Sequence, residues 1–386
     1  MADANATWGI GPYYTHEHAA FAATVRRFVE REIAPHVHAW DEAEAFPRAL
    51  YTRAAEVGLL GLGFPEAFGG IAGDLFFKIV ATRELASAGS GGLLAGMMSH
   101  SIALPPILAL ASEALQARVV PRVLRGEAVA ALAVTEPGGG SDVAALQMRA
   151  DRDGDDYVLR GEKVFITSGL RADFLTVAAR TGGEGAGGVT LFLVEGDRPG
   201  LTKTALKKTG WWCSDTAALR FDDVRIPKEN RIGSEGLGFL GLMHNFNGER
   251  LGLAAAAWAF ADVCLEDAVA YARERRTFGR RLIERQVIRH KLVDMKMRID
   301  AVRHALEAVA WRVQQGEEPV AEVCMIKNLA TETLEAVAGE AVQILGGAGY
   351  MRGGRIERIF RETKVLSIGG GASEVLKDLA ARQLGW

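Results

Sequence analysis

Cysteine is scarce in this chain. Cys213, Cys264 and Cys324 are the only three in 386 residues, odd in number and widely spaced. They suit neither a disulfide framework nor a zinc site. Each reads as a small buried hydrophobe in a reduced, cytoplasmic chain. Positive charge is not in surplus either: 45 Lys+Arg against 48 Asp+Glu leave a net charge of −3. That gives no reason to expect nucleic acid or an anionic membrane surface as a partner. A membrane span needs about 20 uninterrupted apolar residues. The most apolar stretch, residues 91–111, is broken by Ser99, His100 and Ser101 and then by Pro105 and Pro106. It reads as buried helix, so no membrane insertion is expected. The first 18 residues show no basic region followed by an apolar one, so no secretory signal is expected. The pairs His16/His18 and His36/His38 have no accompanying Cys or Asp cluster, so no metal site is expected. Neither a Gly-Lys-Ser/Thr loop nor a G-x-G-x-x-G fingerprint opens a helix.

The length exceeds what one compact core normally fills, so two or three domains are expected. The hydrophobic period divides the chain in three. Segments such as "EHAAFAATVRRFVEREIAPHV" carry apolar residues at i, i+3, i+4 spacing as far as residue 127. From 128 to 236 the segments are short and β-branched, including "YVLRGEKVFITSG", "VTLFLVEG" and "TAALRFDDVRIP", with Asp153-Gly154 and Pro199-Gly200 as turn signals. Long helical patterns return from 237 to 386, three of them followed by a shorter one. The expected fold is mainly α with a central β-domain: an N-terminal α-helical domain over 1–127, an antiparallel β-barrel or sandwich over 128–236, and a C-terminal four-helix bundle over 237–386.

Five stretches could carry chemistry, and each has a plainer alternative. In "AVTEPGGGSD", residues 133–142, glycines would let backbone N–H groups approach a ligand, although a loop explains them too. In "GEKVFITSG", residues 161–169, Phe165 and Thr167 share one strand face that could stack on a flat ring; a core Phe is the commoner outcome. "RERRTFGRRL", residues 273–282, gathers five arginines that suit a phosphate or a solvated helix end. "VQILGGAGYMRGG", residues 342–354, has more glycine than a helix C-cap needs. In "HNFNGERLGLAAAA", Glu249-Arg250 stands at a helix start before an almost wholly apolar run. A carboxylate there faces something packed close, or is a first-turn acid favoured by the helix dipole.

In order and spacing, "VTEPGGGSD", "GEKVFITSGLRAD", "SDTAALRFDDVRIP", "ARERRTFGRRLIERQ" and "QILGGAGY" resemble motifs of the acyl-CoA dehydrogenase flavoproteins over essentially the full chain. The resemblance implies a homotetramer built as a dimer of dimers, with FAD at a subunit interface. Carried over by position, Leu132, Val134, Thr135, Ser141, Phe165 and Thr167 would line the flavin ring. Arg275, Thr277, Phe278, Gln286, Gln343 and Gly347 would hold the FAD phosphates and adenosine from the neighbouring subunit. Ser141, Asn247 and Arg250 would contact the pantetheine and thioester of an acyl-CoA substrate. The implied reaction is α,β-dehydrogenation to the trans-2-enoyl-CoA: a carboxylate removes an α-proton, a hydride passes to flavin N5, and electrons leave to electron-transferring flavoprotein.

One family feature is missing. Many members carry the catalytic Glu in a segment of the form R-D-A-K-x-x-x-I-x-E-G-T. Here the segment is Arg361-Glu-Thr-Lys-Val-Leu-Ser-Ile-Gly-Gly-Gly-Ala372, with Gly370 where the base belongs. Either dehydrogenation has been lost or the base sits elsewhere. The isovaleryl-CoA and long-chain branches resemble this chain in having a small residue in the loop and a Glu before an Arg on another helix, which is Glu249-Arg250 here. Glu249 is therefore the expected base. Among the rivals, Glu374 reads as a first-turn acid, Glu362 as the ordinary acid of its segment, and Glu136 as structural. Gly369 and Gly370 would leave room near the reacting carbons for a branched or longer acyl chain. Two alternatives keep the fold: a flavin oxidase or monooxygenase, and a dehydrogenase of carrier-protein thioesters. A non-catalytic DNA-binding homologue would want a basic extension or patch, and the net charge of −3 argues against that reading.

Overall fold

The computed structural model describes Trp8 and residues 11–386. The expectation of no secretory signal rests partly on residues 1–7, 9 and 10, which lie outside the described residues. The first helices are α1 (His16–Phe28), α2 (Val37–Glu42), α3 (Ala49–Glu56), α4 (Leu75–Ala86), α5 (Gly91–Met97), α6 (His100–Ala103), α7 (Pro105–Leu110) and α8 (Glu113–Leu124). Helix α1 buries His18, Ala22, Val25 and Phe28 on one stripe, as its i, i+3, i+4 spacing predicts. It relaxes into a π-helical turn, Val29–Ile33, just before Pro35, which has no N–H to continue the ladder. Asp74 caps α4 by accepting from the Phe76 and Phe77 N–H groups.

The stretch 91–111 is broken as its Ser-His-Ser and Pro-Pro interruptions imply. Among the described residues no single helix is long and apolar enough to cross a membrane. One pair bent by 46°, Gly91–Met97 with His100–Leu110, has the composition. Its Leu93, Met97, Leu104 and Ile107 are buried in the protein.

Eight strands form the middle sheet: β1 (Ala130–Ala133), β2 (Arg149–Asp153), β3 (Asp156–Thr167), β4 (Phe174–Arg180), β5 (Val189–Glu195), β6 (Leu201–Ala205), β7 (Thr216–Pro227) and β8 (Arg231–Ile232). The order is β6-β7-β3-β2-β4-β5-β8, and β1 also pairs with β4. The sheet corrects the expectation of purely antiparallel pairing: β1 and β2 both run parallel to β4. The β2–β3 hairpin reverses the chain once and residues 168–173 reverse it again. Strand β4 therefore returns beside β2 in the same direction. Strand β4 is buried along its whole length and both its faces are covered: Leu175, Val177 and Ala179 pack in one apolar cluster and Phe174 and Ala178 in another.

The C-terminal part comprises α9 (Gly238–Glu274), a small hairpin of β9 (Arg276–Thr277) and β10 (Arg280–Arg281), α10 (Gln286–Gln314), α11 (Val320–Leu345), α12 (Gly347–Tyr350), α13 (Arg355–Ile368) and α14 (Ser373–Leu384). Helix α9 is the spine. Its Ala254, Ala257, Ala261 and Ala268 are fully buried, and such small side chains let α10 and α11 approach closely. Arg83 of α4 reaches it through Asp262 at 2.7 Å and Glu266 at 2.6 Å, tying the first domain to the bundle. Helix α9 also starts earlier than the sequence implies. Glu249 lies about three turns inside it and not at its beginning, which removes the dipole explanation for that carboxylate. The end of the chain is two helices, α13 and α14, split by Gly369, Gly370 and Gly371.

Candidate active site

Glu249 is half-buried on α9, and its carboxylate accepts no hydrogen bond among the described residues. Burial pushes its carboxyl up to about 7, against the opposing pull of the Arg250 and Lys327 cations. A Cβ added to Gly370 would come 3.7 Å from Glu249 Oε1, so the glycine turn runs directly against the carboxylate.

That turn is held from two helices. Arg250 Nε donates to the Gly370 carbonyl at 3.2 Å, and Lys327 Nζ of α11 donates to the Gly371 carbonyl at 2.9 Å. One residue further on, Asn328 Nδ2 donates to the Ser373 carbonyl at 2.9 Å. Arg250 also donates from Nη1 to Asn247 Oδ1 at 3.1 Å, and its guanidinium lies 5.8 Å from the Phe246 ring centre. Phe246, Leu132 and Val134 border one apolar cluster. The structure brings Asn247, Glu249, Arg250 and Gly370 together through the Arg250 bonds and the close approach of the turn to Glu249. Ser141 is exposed on the loop after β1 and makes no hydrogen bond to the Arg250 network among the described residues.

Gly370 and Gly371 have φ of +66° and +104°, the left-handed region that glycine tolerates. At Gly370 a Cβ would also sit 2.4 Å from the Leu253 Cδ1 methyl. Gly370→Ala should therefore destabilise the fold by about 1–2 kcal/mol from backbone strain alone, read by urea unfolding. At Gly369 the backbone is extended with φ −67°, and the nearest atom to an added Cβ is the Val365 carbonyl at 3.3 Å. Gly369→Ala should be the milder change; equal losses at both positions would contradict this account.

Two of the rival carboxylates are occupied and the third is in solvent. Glu136 is buried, accepts from the Gln147 and Met148 N–H groups at 2.6 and 2.9 Å, and pairs with Lys163 at 2.8 Å. Lys163 also donates to the Val134 carbonyl at 2.8 Å, and the Val164 N–H donates to the Thr135 carbonyl at 2.9 Å. These bonds clamp the end of β1 to β3. Glu362 is likewise pushed up to about 7 by burial. Its two oxygens accept from the Gly91 and Trp211 N–H groups at 2.7 and 2.9 Å, which makes it a brace between domains. Glu374 is exposed in the first turn of α14.

The residues expected at a flavin ring lie around the clamped strands. Leu132, Val134, Thr135 and Thr167 are half-buried, while Phe165 is 69 % exposed. Phe165 stands at a bulge where the β3–β7 register shifts, with φ +62°. An uncovered aromatic ring on a strained backbone is a surface built for a partner, and a flat ring suits it. The set expected at phosphates and adenosine occupies the β9–β10 hairpin and its flank at Arg275, the starts of α10 and α12, and the last turn of α11. Arg275, Phe278, Gln286, Gln343 and Gly347 are exposed, and Thr277 is half-buried. Arg275 and Arg280 have no ion-pair partner among the described residues, and Phe278 is 97 % exposed. Unneutralised arginines beside an open aromatic suit a dinucleotide's phosphates and base. Both sets therefore fit FAD.

Two lysines that no motif singles out join this region. Lys163 lies inside "GEKVFITSG", between Gly161 and Phe165. Lys327 is a lone cation in the apolar stripe "VCMIKNLA" of α11, and that mismatch was the available signal.

Three family models match the chain in order: the acyl-CoA dehydrogenase N-terminal domain over residues 15–127, its middle domain over 131–224 and its C-terminal domain over 236–385. The chain is 35% identical over 381 residues to the mitochondrial long-chain specific acyl-CoA dehydrogenase of Sus scrofa, covering 97% of this chain and 88% of that protein. A solved structure of a probable acyl CoA dehydrogenase from Mycobacterium abscessus superposes with a TM-score of 0.95 at 48% identity, over 97% of this chain and all (100%) of that one. A prolyl acyl carrier protein oxidase superposes with a TM-score of 0.89 at 29% identity, over 97% of this chain and 100% of that one.

Proposed function

The chain belongs to the acyl-CoA dehydrogenase family of flavin-dependent oxidoreductases, and we propose that it converts an acyl-CoA to the trans-2-enoyl-CoA with Glu249 as the α-proton base, FAD as cofactor and electron-transferring flavoprotein as electron acceptor. The observation that supports this most directly is the contrast between carboxylates. Glu136 and Glu362 each accept two backbone N–H groups, whereas Glu249 accepts none and faces the glycine turn. A carboxyl pushed up to about 7 is a stronger proton acceptor than an exposed Glu, yet is still ionised in part near neutrality.

When bound, FAD supplies the hydride acceptor for Cβ of the substrate. The chain's own residues supply the rest. The α-C–H is a weak acid, so negative charge developing on the thioester oxygen must meet a hydrogen-bond donor. A backbone N–H of the turn at Gly369–Gly371 is the donor we assign. Arg250 keeps that turn in place and orients Asn247, while Asn247 and Ser141 take the thioester and pantetheine end. The Leu253 methyl fills the side-chain space at Gly370, but at Gly369 an added Cβ would meet only the Val365 carbonyl at 3.3 Å, and that opening supports a branched or longer acyl group over a short straight one.

The Arg275, Thr277, Phe278, Gln286, Gln343 and Gly347 set would serve the FAD of a neighbouring subunit. Exposed apolar pairs at i, i+4 support self-association: Val293 with Met297 on α10, and Met325 with Leu329 on α11. The test is anaerobic titration of the yellow holoenzyme with straight and branched acyl-CoA thioesters, followed by flavin bleaching at several pH values. The competent base is the ionised one, so bleaching should accelerate as pH rises through about 7. A strict preference for short straight chains would count against the roomy turn. Bleaching only by a carrier-protein thioester, or rapid reoxidation in air with peroxide release, would replace this reading by the carrier-thioester or oxidase one.

A further inference from the structure

Lys327 has no exposed surface. On α11 it sits among Val323, Ile326, Ala330 and Leu334, all buried, where a cation is costly unless it is compensated. Its one hydrogen bond among the described residues goes to the Gly371 carbonyl. Arg250 makes the matching bond to the preceding carbonyl, that of Gly370. Two cations from two helices therefore grip consecutive carbonyls of one turn, and the turn lies against Glu249. A neutral side chain would pack on α11 at less cost, so the charge itself needs a reason.

We infer that Lys327 is a positioning residue for the α-proton base: its ammonium fixes the Gly369–Gly371 turn against Glu249 and adds a second cation to the carboxylate's surroundings. This rests on the reading of Glu249 as the base. The charged and titratable groups around the pair are few. Glu249 is influenced by Arg250 on its own helix and by Lys327 from α11. Lys327 is influenced by Arg250 and Glu249 of α9, by Cys324 of α11 and by Glu374 of α14. Burial and Arg250 bring Lys327 down to about 8, with Glu249 opposing, so it remains largely charged near neutrality. With two positive charges beside it, Glu249 is less strongly raised than burial alone would leave it.

The test is stopped-flow reduction of the FAD holoenzyme by saturating acyl-CoA across pH, comparing wild type with Lys327→Met, Lys327→Gln and Lys327→Arg. Met and Gln variants should keep their flavin, and their rate should begin to rise at higher pH. Near neutrality they should be slower by roughly three- to tenfold, with the loss recovered in alkaline buffer. Lys327→Arg keeps the charge and should overlay the wild-type profile. A uniform loss at every pH would show a merely structural role and overturn the inference, as would unshifted Met and Gln profiles. If Met and Gln give no holoenzyme, whether or not Arg does, Lys327 serves folding and the inference also fails. Failure of the base assignment looks different: Glu249→Gln would then keep its turnover, whatever the Lys327 variants do.

Discussion

Glu249→Gln should give a folded, yellow protein whose flavin is reduced by acyl-CoA on the order of 10²–10⁴ times more slowly than in wild type. The fold should survive because no hydrogen bond in the network runs through this carboxylate. Arg250 donates to Gly370 and Asn247, and Lys327 donates to Gly371, so each cation keeps its partners when Glu249 becomes neutral. Flavin retention should also survive, because the strands expected at the ring are clamped by Lys163 and Glu136 elsewhere. What disappears is basicity. Gln has the shape of Glu but cannot take a proton from carbon. Full-spectrum absorbance gives flavin content and rapid mixing gives the reduction rate, so the two effects separate cleanly. A variant that keeps most of its turnover would sink the assignment and return attention to Glu362, the other carboxyl raised to about 7.

The absence at Gly370 is what made Glu249 legible in the sequence. A missing acid in one family motif and an acid beside Arg250 elsewhere are both visible without coordinates. The three-part architecture was legible for a related reason: hydrophobic period changes from helical to strand and back. The start of α9 was not, since Gly238, Gly241, Asn245, Asn247 and Gly248 are poor helix formers. Tertiary contacts hold those turns, with Leu242 buried and Asn245 Nδ2 donating to the Ile102 carbonyl at 2.9 Å. The parallel pairing of β1 and β2 with β4 was hidden because strand direction depends on where loops return, which a period of two does not encode. Lys163 and Lys327 were hidden because a lysine's burial depends on what packs over it. Alternation puts Phe165 and Thr167 on one strand face and leaves a core Phe as the commoner outcome; the left-handed backbone that exposes Phe165 comes with a register shift visible only in the paired strands.

Lys163→Met should be the most destabilising of these changes, at about 3 kcal/mol. Lys163 is fully buried and bonded to Glu136 Oε1 and the Val134 carbonyl, both at 2.8 Å. Removing it leaves a buried carboxylate without its cation and a strand end without its anchor. The loss should lie at the lower end of what breaking a buried ion pair costs, because the Gln147 and Met148 N–H groups still bind Glu136. Burial lowers the Lys163 ammonium to about 8 even beside that carboxylate, so holding the cation there carries a desolvation cost. The double change Lys163→Met with Glu136→Gln should accordingly recover part of the loss, since no unpaired charge remains. Urea unfolding reads the first effect. Flavin retention reads the second consequence, because Val134 and Thr135, which are expected at the ring with Leu132, are held by the clamp. If the double variant recovers stability but still sheds flavin, Lys163 positions the cofactor strand as well as balancing Glu136. If it recovers neither, the Val134 carbonyl bond outweighs the ion pair.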